Sequence, residues 1–207
     1  MKKLLLILVL VLSSFVSVAK DFYVASDTHC YGPNSIESFC KDFTKVKFDI
    51  SLGDIEDIKW TLKSDIKEAT KSQADFTEFC KKNNIPEIIG NHDLLPQVLL
   101  FYVKNGVLFT HGHYISWTQD KINKKEKASR KGVSKMKRAA WTALVKSKPY
   151  GNLSTYEKDA AVVYAKKYNC KTIVFGHTHV KDLIDIQYQG IRIINVPQGV
   201  TKLDLPL

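Results

Sequence analysis

The sequence predicts an α/β domain, and two observations carry the prediction. Apolar, β-rich runs recur along the chain, each ending in a short polar turn, with helix-like stretches between them. All six histidines sit in such turns, in Asp27-Thr28-His29, Gly90-Asn91-His92-Asp93, His111-Gly112-His113 and Gly176-His177-Thr178-His179. None is left over for the core or the general surface. Open α/β sheets build their sites on loops beyond rigid strand ends, so these turns are expected to converge at one sheet edge.

Residues 1–19 read as separate from the domain. Lys2 and Lys3 form a basic start, Leu4 to Leu12 an unbroken apolar run, and Ser17-Val18-Ala19 a small-residue cleavage signal. This is the pattern of a signal peptide removed after Ala19, giving an exported protein, periplasmic or secreted. An uncleaved membrane anchor is the alternative, because Leu4 to Ala19 falls just short of the roughly 17 residues that span a bilayer. The domain then occupies residues 20–207.

Its elements follow in order. Phe22 to Ser26 is a strand running into Asp27 and His29, and Asn34 to Thr44 is a helix opened by an Asn34/Glu37 capping box. Phe48 to Leu52 is a strand leading into Gly53-Asp54, followed by a helix around Asp65 to Asn83. Pro86 to Ile89 is a third strand, leading into Gly90-Asn91-His92-Asp93. Leu99 to Val103 and Val107 to Thr110 flank Asn105-Gly106, a tight-hairpin signal, and the second of them runs into His111. Ser154 to Tyr168 is a helix opened by Ser154 or Thr155 with Glu157 nearby. Thr172 to Phe175 runs into Gly176-His177, and a second hairpin joins Leu183–Ile186 to Ile191–Ile194 through Gln189-Gly190.

A chain of 207 residues with 44% hydrophobic content supports one substantial core and no second complete domain. The net charge of +10 falls to +8 once Lys2 and Lys3 leave, and it is concentrated. Between Asp120 and Lys148 there are eleven Lys or Arg against two acids, Asp120 and Glu126. Within that stretch Met136, Ala139, Ala140, Ala143 and Leu144 recur at helical spacing, with Lys135 and Arg138 off the stripe. The segment is therefore a basic amphipathic helix packed on the domain, a lid that attracts an anionic substrate, or a patch for membrane headgroups or nucleic acid. The four cysteines (Cys30, Cys40, Cys80, Cys170) fit no zinc spacing; they allow three pairings, and their order does not choose among these.

Asp27 and His29, two residues apart, can reach one cation, and the Asp54 carboxylate has two oxygens with which to bridge two. Asn91 offers a neutral oxygen beside His92, and His177 and His179 alternate on an extended chain. Imidazole mixed with oxygen donors suits Mn, Fe, Zn, Co or Ni better than Ca or Mg.

Taken in order, D-x-H, G-D-x-x-D, G-N-H-[DE], H and G-H-x-H, these motifs resemble those of the calcineurin-like metallophosphoesterase superfamily over about residues 21–200. The resemblance implies an α-β-β-α sandwich with a basic helical insertion, about residues 114–150, between the fourth and fifth motifs. It implies two divalent transition metals, one held by Asp27, His29 and His179, the other by Asn91, His111 and His177, with Asp54 bridging both. His92 would be the general acid, oriented by Asp57 with Asp93 sharing that role, and His113, Lys135 and Arg138 are candidate substrate contacts. The expected activity is hydrolysis of an ester or pyrophosphate bond in a phosphorylated, anionic substrate. The turn Gly53-Asp54-Ile55-Glu56-Asp57 lacks the Arg-Gly that follows the second Asp in the protein phosphatase branch, which disfavours phosphoprotein substrates. Two other classes remain: a non-catalytic binder of membranes or nucleic acid through residues 120–148, and a metal-stabilised structural module. A closed structural zinc site does not use Asn91 and His92, which argues against the latter.

Overall fold

In the computed structural model, which describes residues 20–93, 98–117, 133–147 and 152–207, the alternating runs assemble into two facing sheets. In the first, β1 (Lys20–Ser26) lies between β2 (Ile50–Ser51), parallel to it, and β8 (Gly199–Leu205), antiparallel to it. The second has the order β3 (Phe101–Lys104), β4 (Val107–Thr110), β5 (Thr172–Phe175), β7 (Ile191–Asn195) and β6 (Ile184–Tyr188). Strands β4, β5 and β7 run parallel, and β3 and β6 close the edges as antiparallel hairpin partners. Both hairpins turn on a residue pair with positive φ, Asn105-Gly106 and Gln189-Gly190, the conformation that matches strand twist in a two-residue loop.

Three apolar clusters define four layers. Phe22, Val24, Leu203 and Leu205 of the first sheet meet Val107, Phe109, Val174 and Ile194 of the second in the space between them. The outer face of the first sheet packs Ala25, Phe48 and Ile55 against Phe39 of α1 (Glu37–Lys41) and Phe76 of α2 (Ile66–Lys82). The outer face of the second packs Leu108, Ile173, Phe175 and Ile193 against Ala161, Val162 and Ala165 of α5 (Thr155–Lys167). Each buried Phe, Ile or Leu contributes about 1.5–3 kcal/mol by leaving water, so the sandwich is held mainly by these layers. Helix α5 opens on the expected capping box: the Glu157 N–H donates to Ser154 Oγ, and Ser154 N donates to the Glu157 carboxylate.

Three expectations are corrected. The helix expected over Asn34 to Thr44 is only α1, capped by no side chain, so the Asn34/Glu37 box does not form. A disulfide between Cys30 and Cys40 fastens it to the first ligand turn, while Asp42 accepts from Thr44 N and bends the chain into a 3-10 turn, Phe43–Lys45. Pro86 to Ile89 is not a strand but a pair of isolated bridges, Glu87 to Ser51 and Ile88 to Leu99, because β2 beside it is two residues long. Cys80 and Cys170 are buried free thiols, which settles the pairing.

The third correction concerns the insertion, whose described helices are the one-turn α3 (His113–Ser116) at its start and α4 (Lys135–Ser147). Met136 is 83% exposed, and Ala139, Ala140 and Ala143 also face out, so the predicted stripe is not the packed face. The half-buried side is Arg138, Trp141 and Thr142, because one indole offers far more apolar area than several methyl groups. Trp141 stacks on Trp60 with ring centroids 4.3 Å apart and planes 5° from parallel. Within the basic segment residues 120–132 and 148 lie outside the described residues, as does the expected signal peptide at 1–19. Among the described residues no helix is long and apolar enough to cross a membrane.

One buried acid works against this fold. Glu56 is 1% exposed; Oε1 accepts from the Ser72 hydroxyl at 2.6 Å, but Oε2 has no hydrogen-bond partner among the described residues. Burial pushes its carboxyl up to about 8, and the Ser72 bond offsets only part of that. Below the ordinary value of 4.5 both folded and unfolded states hold the proton. As pH rises from there towards 8, the unfolded chain ionises first, and stability is lost by an amount on the order of 3 kcal/mol. Glu56→Gln is therefore expected to raise the unfolding temperature at pH 8 and to change it little at pH 5. Equal shifts at both pH values would show that Glu56 is not carried neutral.

Candidate metal centre

Every predicted turn leaves the carboxyl end of a strand or bridge, and the backbone there is held in unusual conformations. Asp27, His29, Asp54, His177 and His179 all have φ between +48° and +72°, a left-handed region that L-residues avoid. Such strain persists only where surrounding contacts fix it, and it concentrates at functional sites. Here the contacts are dense. Asp27 N donates to Gly53 O at 3.0 Å, His29 N to Asp54 O at 3.0 Å and Cys30 N to Ile55 O at 2.8 Å, which zips the first ligand turn to the second. The second presses on the third: a Cβ added at Gly53, whose φ is +92°, would lie 2.3 Å from Gly90 N.

The expected ligands gather in two groups, and His29 is shared with a third, made with Asp57 and His92. Asp27, His29 and His179 form one, with the two Nε2 atoms 2.9 Å apart and Asp27 Oδ1 lying 3.7 Å from His29 Nε2 and 3.3 Å from His179 Nε2. Three donors about 2.0–2.2 Å from a shared cation are separated by such distances. Asp27 Oδ2 is already used, accepting from Ser26 Oγ at 2.5 Å and His177 N at 2.8 Å, whereas Oδ1 is buried without a hydrogen-bond partner. Asp54, His111 and His177 form the other group. His111 Nδ1 donates to Leu52 O at 2.7 Å, so the neutral ring turns its Nε2 lone pair to Asp54 Oδ2, 3.3 Å away. Two acceptors facing each other in a buried site call for a proton or a cation between them, and a carbonyl behind the ring is the usual support of a ligand histidine. Asn91 Oδ1 is a further buried acceptor, without a hydrogen-bond partner among the described residues. The donor set and its orphaned atoms thus fit divalent metal.

The electrostatics agree with that fit. Burial alone would raise Asp27 and Asp54, but the surrounding imidazoles hold both well below the usual carboxylate range. Burial alone would lower His111, yet the Asp54 carboxylate lifts it to about 9, so in metal-free protein a proton occupies the gap that a cation would take. His177 is pushed down to about 3 by burial and by His111, leaving it neutral as a ligand must be.

Beside these groups, His92 Nδ1 and Asp57 Oδ1 are 2.5 Å apart. Asp57 Oδ2 lies 3.8 Å from His29 Nδ1, so this carboxylate sits between the first group and the His92 ring. Burial opposes charge on His92, but Asp57 and Asp54 raise its pKa. Its side chain is 13% exposed, enough to reach a bound substrate.

The remaining candidates sit elsewhere. Asp93 is turned to the backbone: Oδ2 accepts from Asp54 N and Gly90 N, both at 2.8 Å, and Oδ1 from Glu56 N at 3.4 Å. It clamps two ligand turns together where the sequence suggested a partner for His92. His113 is buried, with its ring centroid 5.0 Å from that of His111 and 6.0 Å from that of His177. Burial and His111 push it down to about 2, so it packs as a neutral ring behind the second group. Lys135 and Arg138 line a cavity of about 480 Å³ with Leu62, Ala139, Thr142 and Ala143, none of which belongs to either group. Two residues unmarked in the sequence support ligand turns, Asn195 the fifth and Gln198 the first. Asn195 Oδ1 accepts from Thr178 Oγ1 and its amide donates to Phe175 O and Gly176 O, and Gln198 Nε2 donates to Asp27 O at 3.1 Å. Single amides after a strand carry no signature.

Gly90 marks how closely the turns meet. A Cβ there would lie 2.0 Å from Asp54 Oδ1 and 2.2 Å from Asp54 N. Gly90→Ala is expected to displace Asp54 and weaken metal binding about tenfold or more while the protein still unfolds cooperatively. Titration of stripped protein with Mn²⁺ measures this, and wild-type affinity would refute the crowding.

Comparisons with known proteins bear on the family. A search of curated proteins finds no significant match. Among solved structures, a single mutant of Vps29 from Entamoeba histolytica is similar at 13% identity and a TM-score of 0.44, covering 86% of this chain and 74% of that one. A cold-active protein-tyrosine phosphatase of a psychrophile Shewanella species is similar at 15% identity and 0.44, covering 90% and 76%. A phosphopantetheinyl hydrolase from Mycobacterium tuberculosis is similar at 13% identity and 0.39, covering 88% and 91%. The family model for calcineurin-like phosphoesterases matches residues 20–181, from the first strand through the last histidine pair, and the chain belongs to that family of phosphate-ester hydrolases.

Proposed function

We propose that the protein hydrolyses a phosphate ester or pyrophosphate bond with two metals and a histidine acid. The observation that carries this is the meeting of two largely buried Asp/His donor groups with a partly exposed His92, which is paired to Asp57 and lies beside His29. Asp27, His29 and His179 would hold one cation and Asn91, His111 and His177 the other, with Asp54 shared by both. When bound, the two cations lower the pKa of a water nucleophile and offset charge on the phosphoryl oxygens. Ser26, the His177 N–H and Leu52 O aim the ligands before any metal arrives, so little reorganisation is needed. Asp57 accepts from His92 Nδ1–H, which leaves Nε2 to donate a proton to the departing oxygen. The imidazole-rich set favours Mn, Fe, Zn, Co or Ni.

The deciding experiment strips residues 20–207 of metal, reloads them with Mn²⁺ and assays chromogenic phosphate monoesters and diesters. Metal-dependent turnover supports the reading; a protein that binds two equivalents of metal yet cleaves neither esters nor pyrophosphates would overturn it. We place that mature chain outside the cytoplasm. The apolar N-terminal run and the Cys30–Cys40 bridge, which an oxidising compartment sustains, support this. N-terminal sequencing of the exported protein should then read from Lys20.

A further inference from the structure

We propose that Trp141, on the insertion helix, is a positioning residue for the proton donor, acting through Trp60 and the turn that carries Asp57. The proposal rests on the reading of His92 as the acid. The Asp57 carbonyl accepts from Trp60 N at 2.9 Å, Thr61 N at 2.8 Å and Thr61 Oγ1 at 2.8 Å, so residues 57–61 form one hydrogen-bonded turn. That turn is fixed at its start by Asp57 N donating to Cys30 O at 2.8 Å, next to His29. Its other end is fixed by the insertion. Val133 N donates to Thr61 O at 2.8 Å and Lys63 N to Val133 O at 3.1 Å, a two-bond clamp between backbones. One side-chain contact completes it: the Trp60 indole lies flat on Trp141, and Lys59 Nζ and Lys137 Nζ each sit 5.8 Å from the Trp60 ring centre. Stacked and cation-flanked indoles add to plain burial and fix an angle as well as a distance.

The consequence is geometric. The insertion grips the turn whose first residue holds the His92 ring, with Asp57 Oδ1 and His92 Nδ1 2.5 Å apart. A proton donor must be held in one orientation, and about 1 Å of misplacement can cost on the order of 10²-fold in rate. The insertion thereby orients the acid from outside the donor groups, and its loss should touch proton donation and leave metal binding alone.

The test reads both the hydrogen bond and its use. In wild type the His92 Nδ1–H should give a downfield proton resonance that Asp57→Asn removes. Trp141→Ala should shift or broaden it, Trp141→Phe should restore it, and Met136→Ala, on the same helix but exposed, should leave it in place. In the Mn²⁺-loaded enzyme, Trp141→Ala should lower the ratio of phenyl to 4-nitrophenyl ester hydrolysis about tenfold or more, since only the poorer leaving group needs the proton. Added to Asp57→Asn, it should lower the ratio no further. Metal content should equal wild type in every variant. A resonance and a leaving-group ratio unchanged by Trp141→Ala would overturn the proposal while leaving the His92–Asp57 pair intact. Absence of the resonance in wild type, with no leaving-group effect of Asp57→Asn, would instead remove the pair on which it rests.

Discussion

Asp54→Ala is expected to lower kcat/KM by more than about 10³-fold and to reduce bound metal. Deleting a single donor that stabilises transition-state charge costs about 10²–10³ in kcat, and Asp54 does more than one such job. Its Oδ2 faces His111 Nε2 at 3.3 Å, its Oδ1 accepts from His92 N at 2.7 Å, and its N–H is held by Asp93. Removing the carboxylate takes away the negative charge that the second group offers a cation and frees the turn that carries His92. It also releases His111, whose raised pKa depends on Asp54 once burial is overcome, so His111 becomes neutral. Elemental analysis after Mn²⁺ reloading should show the second equivalent lost. Full metal content with wild-type turnover would rule out Asp54 as a shared ligand.

Asp54→Asn separates charge from shape. The amide keeps an oxygen for His92 N but brings no negative charge, so metal retention should fall between Asp54 and Ala. If the asparagine variant matched wild type, the bridging role would fall while the loop-fastening role stood.

The chemistry was legible in the sequence because its residues are rare and bunched. Six histidines in four turns, each after a β-rich run, locate the donors, and the strand period then places those turns at one end of a sheet. The two hairpins were legible for a similar local reason, since Asn-Gly and Gln-Gly supply the positive φ that the turns require. Long-range choices left weaker marks. Strand β8 alternates Leu203 and Leu205 with Lys202 and Asp204, but only its pairing with β1, seven residues in register, makes it a strand. The cysteine pairing needed the fold to bring Cys30 and Cys40 together across ten residues, while Cys80 went into the α2 core contact.

Asp93 and the insertion helix show the same limit from two sides. From its place next to His92, Asp93 reads as a catalytic partner, but a side chain's direction depends on backbone bends that sequence adjacency does not encode. It points back to three backbone N–H groups. Helix α4 presents a regular stripe of small apolar residues, and yet Trp141, off that stripe, sets its rotation because Trp60 waits on another segment. In each case a distant contact outweighs the local pattern.

His92→Asn is expected to lower kcat by about 10²–10⁴-fold for an ester with a poor leaving group, which is the span general acid catalysis covers. The loss should be much smaller for a 4-nitrophenyl ester, whose leaving oxygen departs without a proton. Metal content should stay at wild type, because among the described residues the hydrogen bonds of His92 are with Asp57 through Nδ1 and Asp54 through its backbone N–H, the second of which survives the substitution, and its ring meets the ligand His29 only edge-on. This pattern distinguishes His92 from Asp54. Loss of Asp54 should slow even good leaving groups severely, since all need the cations; loss of His92 should largely spare them. Burial works against a charged His92 and the two neighbouring carboxylates restore it, so Asp57→Asn should reproduce the same discrimination more weakly, by leaving the ring in place with less support for its proton. A His92→Asn variant slowed equally on both esters, with metal lost, would mean that His92 serves the metal groups and that the proton comes from elsewhere.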